Sequence, residues 1–190
     1  DLDYVGVKAS QFSFSRLAKA DPVLGVDMAS TGEVGCIGDS FHEALLKAMY
    51  SVGYRMPVKA VLISSGPAKS KADLLEAVRL LEKRGYLIFA TRGTQQFLSN
   101  AGIAAKVAHW PDEEASPNTV ELIRQRVVDL VINIPKDLSA TELSNDYQIR
   151  RSAVDYNIPL ITNARLASAF INAFCSVPDS EIEIKAWDEY

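Results

Sequence analysis

From Pro57 onward the chain alternates short apolar, often β-branched runs with longer runs in which apolar residues recur every three or four positions. That alternation is expected of βα units closing a parallel sheet. Five runs read as strands: Val58–Ser64, Tyr86–Ala90, Ala105–Ala108, Leu130–Ile134 and Pro159–Ile161. Each is mostly apolar, as a strand covered by helices on both faces must be, so the predicted fold is α/β, a doubly wound domain around a five-stranded parallel sheet. Between the first two strands, Lys71–Arg84 places Leu74, Leu75, Val78 and Leu81 on one stripe and closes with Lys83 and Arg84 before Gly85, a left-handed stop. Ser116 followed by Pro117 predicts a helix start, with the helix running to about Arg126, because proline at the first helical position forfeits only an N–H that has no intrahelical partner. Ser139 and Glu142 have capping-box spacing and open a helix ending near Tyr156. The last helix runs from about Arg165 to Phe174 and buries Leu166, Phe170 and Ile171.

The first 55 residues read differently. Tyr4–Val7 and Phe12–Phe14 look extended, and a glycine-rich passage follows through Gly25, Gly32, Gly35 and Gly38. A helix then opens on the Ser40/Glu43 capping box and stops at Gly53. Apolar residues here are too few and too scattered to build a separate core. Residues 1–55 are therefore expected to be an appendage belonging to a neighbouring domain, with the boundary at Met56–Pro57 and the main domain over residues 56–190.

Composition narrows the function classes. A chain of 190 residues has room for one complete core and an appendage. With 48% hydrophobic residues, 23% charged residues and a net charge of −4, it is an ordinary globular chain for which neither nucleic acid nor an anionic membrane is implied as a partner. The two cysteines, Cys36 and Cys175, fit no metal-ligand or C-x-x-C spacing and read as buried thiols of a reducing, cytoplasmic compartment. No apolar run is long enough to span a bilayer and no signal peptide opens the chain; Asp1 in place of Met suggests an excised fragment.

In an open parallel sheet, ligands bind beyond the carboxyl ends of the strands. Three polar groups fall there: Ser64-Ser65-Gly66 with Lys69, Ser70 and Lys71; Thr91-Arg92-Gly93-Thr94 at a helix start; and Asn133-Ile134-Pro135-Lys136. Hydroxyls, an ammonium, an amide and helix-start N–H groups suit one phosphate or carboxylate. Each has a plainer reading. Thr91 serves equally as a helix N-cap, Lys69 and Lys71 as solvated charges, Asn133 as a turn-former, and Arg150-Arg151 as a solvated helix face with one residue salt-bridged. Trp110, just past the third strand and beside Pro111 and Asp112-Glu113-Glu114, is either loop packing or a pocket wall. His42 and His109 are too far apart to share a metal, and no nucleophile–base arrangement is legible.

The stretch Asp21-Pro22-Val23-Leu24-Gly25-Val26-Asp27-Met28-Ala29-Ser30-Thr31-Gly32-Glu33-Val34 closely resembles the end of the second ATP-grasp half of carbamoyl phosphate synthetase large subunits, and Glu43-Ala44-Leu45-Leu46-Lys47-Ala48 resembles the helix leading out of it. Residues 57 to about 175 resemble the methylglyoxal-synthase-like domain, through Phe89-Ala90-Thr91-Arg92-Gly93-Thr94, Asp129-Leu130-Val131-Ile132-Asn133 and Ile149-Arg150-Arg151-Ser152-Ala153. The resemblance implies the allosteric region of an enzyme that makes carbamoyl phosphate for arginine and pyrimidine synthesis. It implies no cofactor in this region, with ATP and Mg or Mn handled elsewhere in the parent. The implied partners are the remainder of the large subunit, a glutaminase and a small anionic effector, either a nucleotide or an acetylglutamate-like molecule.

Positions matching the family's effector site are Lys71, Thr91, Thr94, Trp110 and Asn133, and Thr162 matches a threonine that contacts ornithine in bacterial members. The chain departs from the bacterial nucleotide pattern at Trp110 and Pro135, from the acetylglutamate pattern at Lys136, and from the ornithine pattern at Asn163. Trp110 and Asn133 resemble the animal-type domains. Stand-alone methylglyoxal synthases use an aspartate in a Gly-Gly-Asp passage, where this chain has Ile134-Pro135-Lys136-Asp137. Such a lyase, or a purely structural oligomerisation domain, is the alternative.

Overall fold

The computed structural model describes residues 3–24, 30–135 and 140–190. It opens with an antiparallel ribbon of β1 (Val5–Gln11) and β2 (Gly32–Gly38), paired from Val5 opposite Gly38 to Gln11 opposite Gly32. Phe12–Phe14 is not a strand. Phe14–Arg16 forms a short 3-10 turn, and the rings of Phe12 and Phe14 stack at 5.7 Å. Gly38 is glycine for a steric reason, since a Cβ there would lie 2.6 Å from the amide nitrogen of Ala44.

That approach sets the ribbon against helix α1 (Phe41–Ser51). Ser40 caps the helix by accepting from the Glu43 N–H, but the Glu43 carboxylate reaches back to the Asp39 N–H (2.8 Å), one residue earlier than in a reciprocal box. Gly53, at φ +93°, lets the chain leave the helix end.

The main sheet comprises β3 (Ala60–Ser65), β4 (Leu87–Thr91), β5 (Lys106–Ala108), β6 (Leu130–Ile134) and β7 (Leu160–Ile161). All pairings are parallel, in the order β5-β4-β3-β6-β7. The predicted five-stranded parallel sheet is thus the observed one. The first strand begins at Ala60 rather than Val58, because one carboxylate oxygen of Asp129 gathers the N–H groups of Val58, Lys59 and Ala60 and so caps the start of the strand.

Side chains alternate along these strands and divide the core in two. Val61, Ile63, Ile88, Ala90, Leu130, Ile132 and Ile161 pack with α1, α2 (Ala68–Lys83) and α6 (Ala164–Ser176). Ala60, Leu62, Phe89 and Val131 pack on the opposite side with α4 (Thr119–Arg124) and α5 (Ala140–Asp155). Helix α3 (Arg92–Asn100) follows β4 directly.

The helix expected to start at Ser116-Pro117 starts at Thr119. Asn118 and Glu121 form a reciprocal capping box there, while Ser116 Oγ bonds the Glu121 carboxylate from outside the helix. The Ser116–Pro117 peptide is cis. Ser139 lies outside the described residues.

Leu45, Leu46 and Met49 of α1 belong to the same buried cluster as the sheet and α6, and Phe170 joins that helix layer edge-on to Tyr54 and Phe174. The Tyr54 hydroxyl donates to the Leu160 carbonyl, and burial pushes its pKa up to about 12. Since α1 completes the core, Leu46→Ala should lower the stability of the whole sheet domain by about 3 kcal/mol in a single cooperative transition. Two separate transitions in a denaturant titration would show α1 to be an independent unit.

Candidate functional site

Strand order reverses between β3 and β6, so the place past their carboxyl ends is where sheets of this topology bind ligands, and this strand-end region is the candidate crevice. The Gly66 N–H donates to the Ile134 carbonyl (2.9 Å) and fixes the two strand ends side by side. Side-chain alternation then sends Ser64, Thr91 and Asn133 to the α5 side of the sheet and Ser65 to the α2 side.

Thr91 occupies the N-cap position of α3, but its side chain makes no capping bond; its buried hydroxyl donates to Ser64 Oγ (3.2 Å). The first-turn N–H groups of α3 are therefore left by their own cap residue for another acceptor. Thr94, in that first turn, is buried and bonded at both ends, accepting from the Ser65 N–H (3.0 Å) and donating to the Ser65 carbonyl (3.1 Å). It locks α3 onto the end of β3, and its one proton is committed unless the hydroxyl rotates.

Ser65 Oγ is buried and finds no partner among the described residues. Lys71, in the first turn of α2, sends its ammonium to the Gly93 carbonyl (3.3 Å), over the start of α3. No described carboxylate pairs with it. Among the described residues, a hydroxyl without a partner, an ammonium without a counter-ion and a helix start without a side-chain cap thus meet at one strand end, as an anion requires.

Trp110 stands two residues past β5, whose Ala108 pairs with Thr91. It is half-buried and packs on the α5-side cluster. Its turn is closed by Glu113, which accepts from the Trp110 N–H (3.3 Å) and bonds His109 Nδ1 (2.9 Å). Its packing role is therefore met, and its strand end lies beside the Thr91 turn.

Asn133 lies deeper than a surface ligand would reach. It is wholly buried, its amide nitrogen donates to Asp146 (2.7 Å) and its oxygen accepts from Arg150 (2.8 Å). Thr162 follows β7 at the sheet edge, two strands from β3, and the neighbouring Asn163 is occupied in capping α6. The sheet end therefore gathers Lys71, Thr91, Thr94 and, at its flank, Trp110, with Asn133 beneath and Thr162 apart.

Arg150 and Arg151 correct the expectation of a solvated helix face with one residue salt-bridged, since both are salt-bridged and Arg150 is not solvated. It is completely buried, forking onto both carboxylate oxygens of Asp21 (2.7 and 2.6 Å), and Arg151 turns to the backbone of residues 14–20. In the sequence Asp21 stands out only as part of the stretch resembling the ATP-grasp end, and Asp146 not at all. The signal that could have found Asp146 and Arg150 is a stripe on α5, where Asn145, Asp146, Ile149, Arg150 and Ala153 recur at helical spacing and all are buried.

Two clefts lie elsewhere and include no residue of the crevice. One of about 420 Å³ is lined by His42, Asp73, Arg165, Ser168, Ala169 and Asn172, the other of about 240 Å³ by Val58, Arg84, Gly85, Tyr86, Phe174 and Cys175. Among the described residues no cluster of histidine, cysteine or carboxylate side chains could hold a metal, and no helix is long and apolar enough to cross a membrane.

Residues 73–162, which hold β4 to β7 and the Thr91–Thr94 turn, match the family described as MGS-like domain. Nearly the whole chain also aligns with one region of much longer proteins. It is 48% identical over 181 residues to multifunctional protein ura1 of Schizosaccharomyces pombe, covering 91% of this chain and 8% of that protein. It is 42% identical over 190 residues to multifunctional protein CAD of Squalus acanthias, covering 93% and 8%. It is 40% identical over 176 residues to the human mitochondrial carbamoyl-phosphate synthase [ammonia], covering 90% and 12%. The chain thus spans about a tenth of the length of these relatives and is homologous to their MGS-like region.

Burial raises the pKa of Asp146 above the ordinary carboxylate value, against the opposing pull of the Asn133 amide and the Arg150 charge. A carboxyl whose folded pKa is raised holds its proton more tightly when folded. Its contribution to stability therefore falls as pH rises from the ordinary 3.8 through the raised value, and stays lower at neutral pH. Asp146→Asn removes that charge while keeping an acceptor for Asn133. The variant should gain in melting temperature relative to the parent chain at neutral pH, and the gain should shrink as the pH falls toward 3.8. A gain that grows on acidification would contradict the assignment.

Proposed function

We propose that this chain is the effector-binding region of a carbamoyl phosphate synthetase, with residues 1–55 the tail of the catalytic half, whose helix α1 packs into the core of the regulatory domain formed by residues 56–190. The observation that carries the reading is the group at the β3–β4 end formed by Ser65 Oγ without a partner, Lys71 with no described carboxylate beside it and the start of α3 without a side-chain cap, in a chain homologous to such synthases. The ligand is a small anion, a nucleotide or an acetylglutamate-like molecule. Lys71, Thr94 and the α3 start hold its anionic group, Thr91 and Trp110 line the flank, and Asn133 supports the floor. Thr162 is retained as an ornithine contact at the sheet edge.

The parent would use ATP with Mg or Mn and a glutaminase partner, act in the cytoplasm, and supply carbamoyl phosphate to arginine or pyrimidine synthesis. None of that chemistry is asked of this chain. Among the described residues, the carboxylate bonded to Asn133, that of Asp146, is buried and already accepts a hydrogen bond, which supports a binding role over proton abstraction.

Calorimetry of this chain against uridine and purine nucleotides, acetylglutamate and ornithine tests the reading. One anion of that panel should bind saturably, and Thr94→Ala should weaken it by about ten- to a hundredfold, since the substitution both removes a hydroxyl and releases α3 from Ser65. Unchanged affinity in a folded variant would refute the site. Phosphate release from dihydroxyacetone phosphate would favour a lyase instead, and the absence of any saturable ligand a structural domain.

A further inference from the structure

Helix α5 serves two parts of the molecule at once. Toward the sheet, Arg150 Nη1 donates to Asn133, whose other amide end is held by Asp146. Toward the N-terminal segment, Nε and Nη2 of the same guanidinium grip both oxygens of Asp21. The neighbouring Arg151 sends Nη1 to the carbonyls of Phe14, Leu17 and Ala20 (3.1, 3.1 and 3.3 Å), and the Tyr147 hydroxyl donates to the Lys19 carbonyl (3.1 Å).

Residues 14–21 bury none of their side chains fully, and Leu17 is 53% exposed. Directed polar bonds rather than apolar area therefore hold this segment, so its docking depends on the position of a few donors. Those donors reach the crevice through hydrogen bonds and one step of strand register. Ser64, which accepts from Thr91, stands opposite Asn133 in the β3–β6 register, and Asn133 leads to Arg150 and Asp21.

We propose that Arg150 is a coupling residue: one buried guanidinium shared between the Asn133 floor of the crevice and Asp21, so that occupancy of the crevice and docking of segment Phe14–Asp21 are energetically linked. A guanidinium has rigid fork geometry, and a shift that satisfies Asn133 tilts the fork held by Asp21. The linkage is reciprocal, so a change at Asp21 alters affinity in a crevice that Asp21 does not line. The ligand half of the proposal rests on the function proposed above; the mechanical half does not.

The test uses the 190-residue chain and variants at the two ends of the path, because removal of Arg150 itself could abolish folding. Hydrogen exchange at the amides of residues 14–21 is compared between the parent chain, Asn133→Ala and Val131→Ala, the last a buried neighbour on β6 that controls for general loosening. Asn133→Ala should speed exchange in that segment about fivefold or more beyond the control. In parallel, uridine triphosphate is titrated by Trp110 fluorescence into the parent chain, Asp21→Asn and Asp21→Glu. Asp21→Asn should change affinity about fivefold or more, and Asp21→Glu should restore much of it.

Exchange in Asn133→Ala no different from Val131→Ala overturns the coupling. So does nucleotide binding that Asp21→Asn leaves unaltered. Coupled exchange in a chain that binds no uridine triphosphate supports the role of Arg150 and counts against the nucleotide reading alone.

Discussion

A guanidinium withdrawn wholly from water must be neutralised and hydrogen-bonded where it lies, and the arrangement around Arg150 follows from that demand. Asp21 supplies the charge in bidentate geometry, and Asn133 takes a further N–H. Removing one partner from a buried pair of this kind costs about 3 kcal/mol or more, because the other charge is left unpaired in a poorly solvating interior. Several features become intelligible together. An asparagine rather than an aliphatic residue stands in an otherwise apolar central strand, a carboxylate on α5 is tolerated in the core, and an exposed segment twenty residues into the chain is fastened to the far side of the sheet.

The same economy of donors shapes the crevice. Thr94 is spent on tying α3 to Ser65, and Thr91 on Ser64, so neither hydroxyl is idle in the absence of a ligand. What remains among the described residues is Ser65 Oγ with no partner, the ammonium of Lys71 with a carbonyl but no carboxylate, and the first turn of α3 with no side-chain cap. A site of this kind is preorganised by bonds among its own walls. An entering anion replaces few of them, and its effect travels through strand ends that are already fixed to one another.

Much of the sheet was legible in the sequence because each central strand is buried on both faces and so reads as an unbroken apolar run, as in Val61–Ile63 and Leu130–Ile132. Strand and helix starts were less legible, since they depend on single side chains acting at a distance: Asp129 delays β3, and Asn118 rather than Ser116 opens α4. The polar residues of the crevice could be placed by their order after strands. Their hydrogen-bonding duties could not, because Asn133 reads as a turn-former until Asp146 and Arg150 are seen beneath it. Arg150-Arg151 misled for the same reason. Two adjacent arginines look solvated until the partner supplied from 129 residues away, Asp21, is in place.

The central claim is that the anion enters at the ends of β3 and β4 and not in the larger cleft beside α6. Backbone amide shifts of the isotope-labelled chain, followed by NMR during titration with the tightest-binding anion, test it residue by residue. The account predicts the largest shifts at Ser65, Gly66 and Arg92–Thr94, with a smaller set continuing through Asn133 to Asp21. Shifts concentrated instead at His42, Asp73, Arg165 and Asn172, the lining of the 420 Å³ cleft, with Gly66 and Gly93 unmoved, would contradict it.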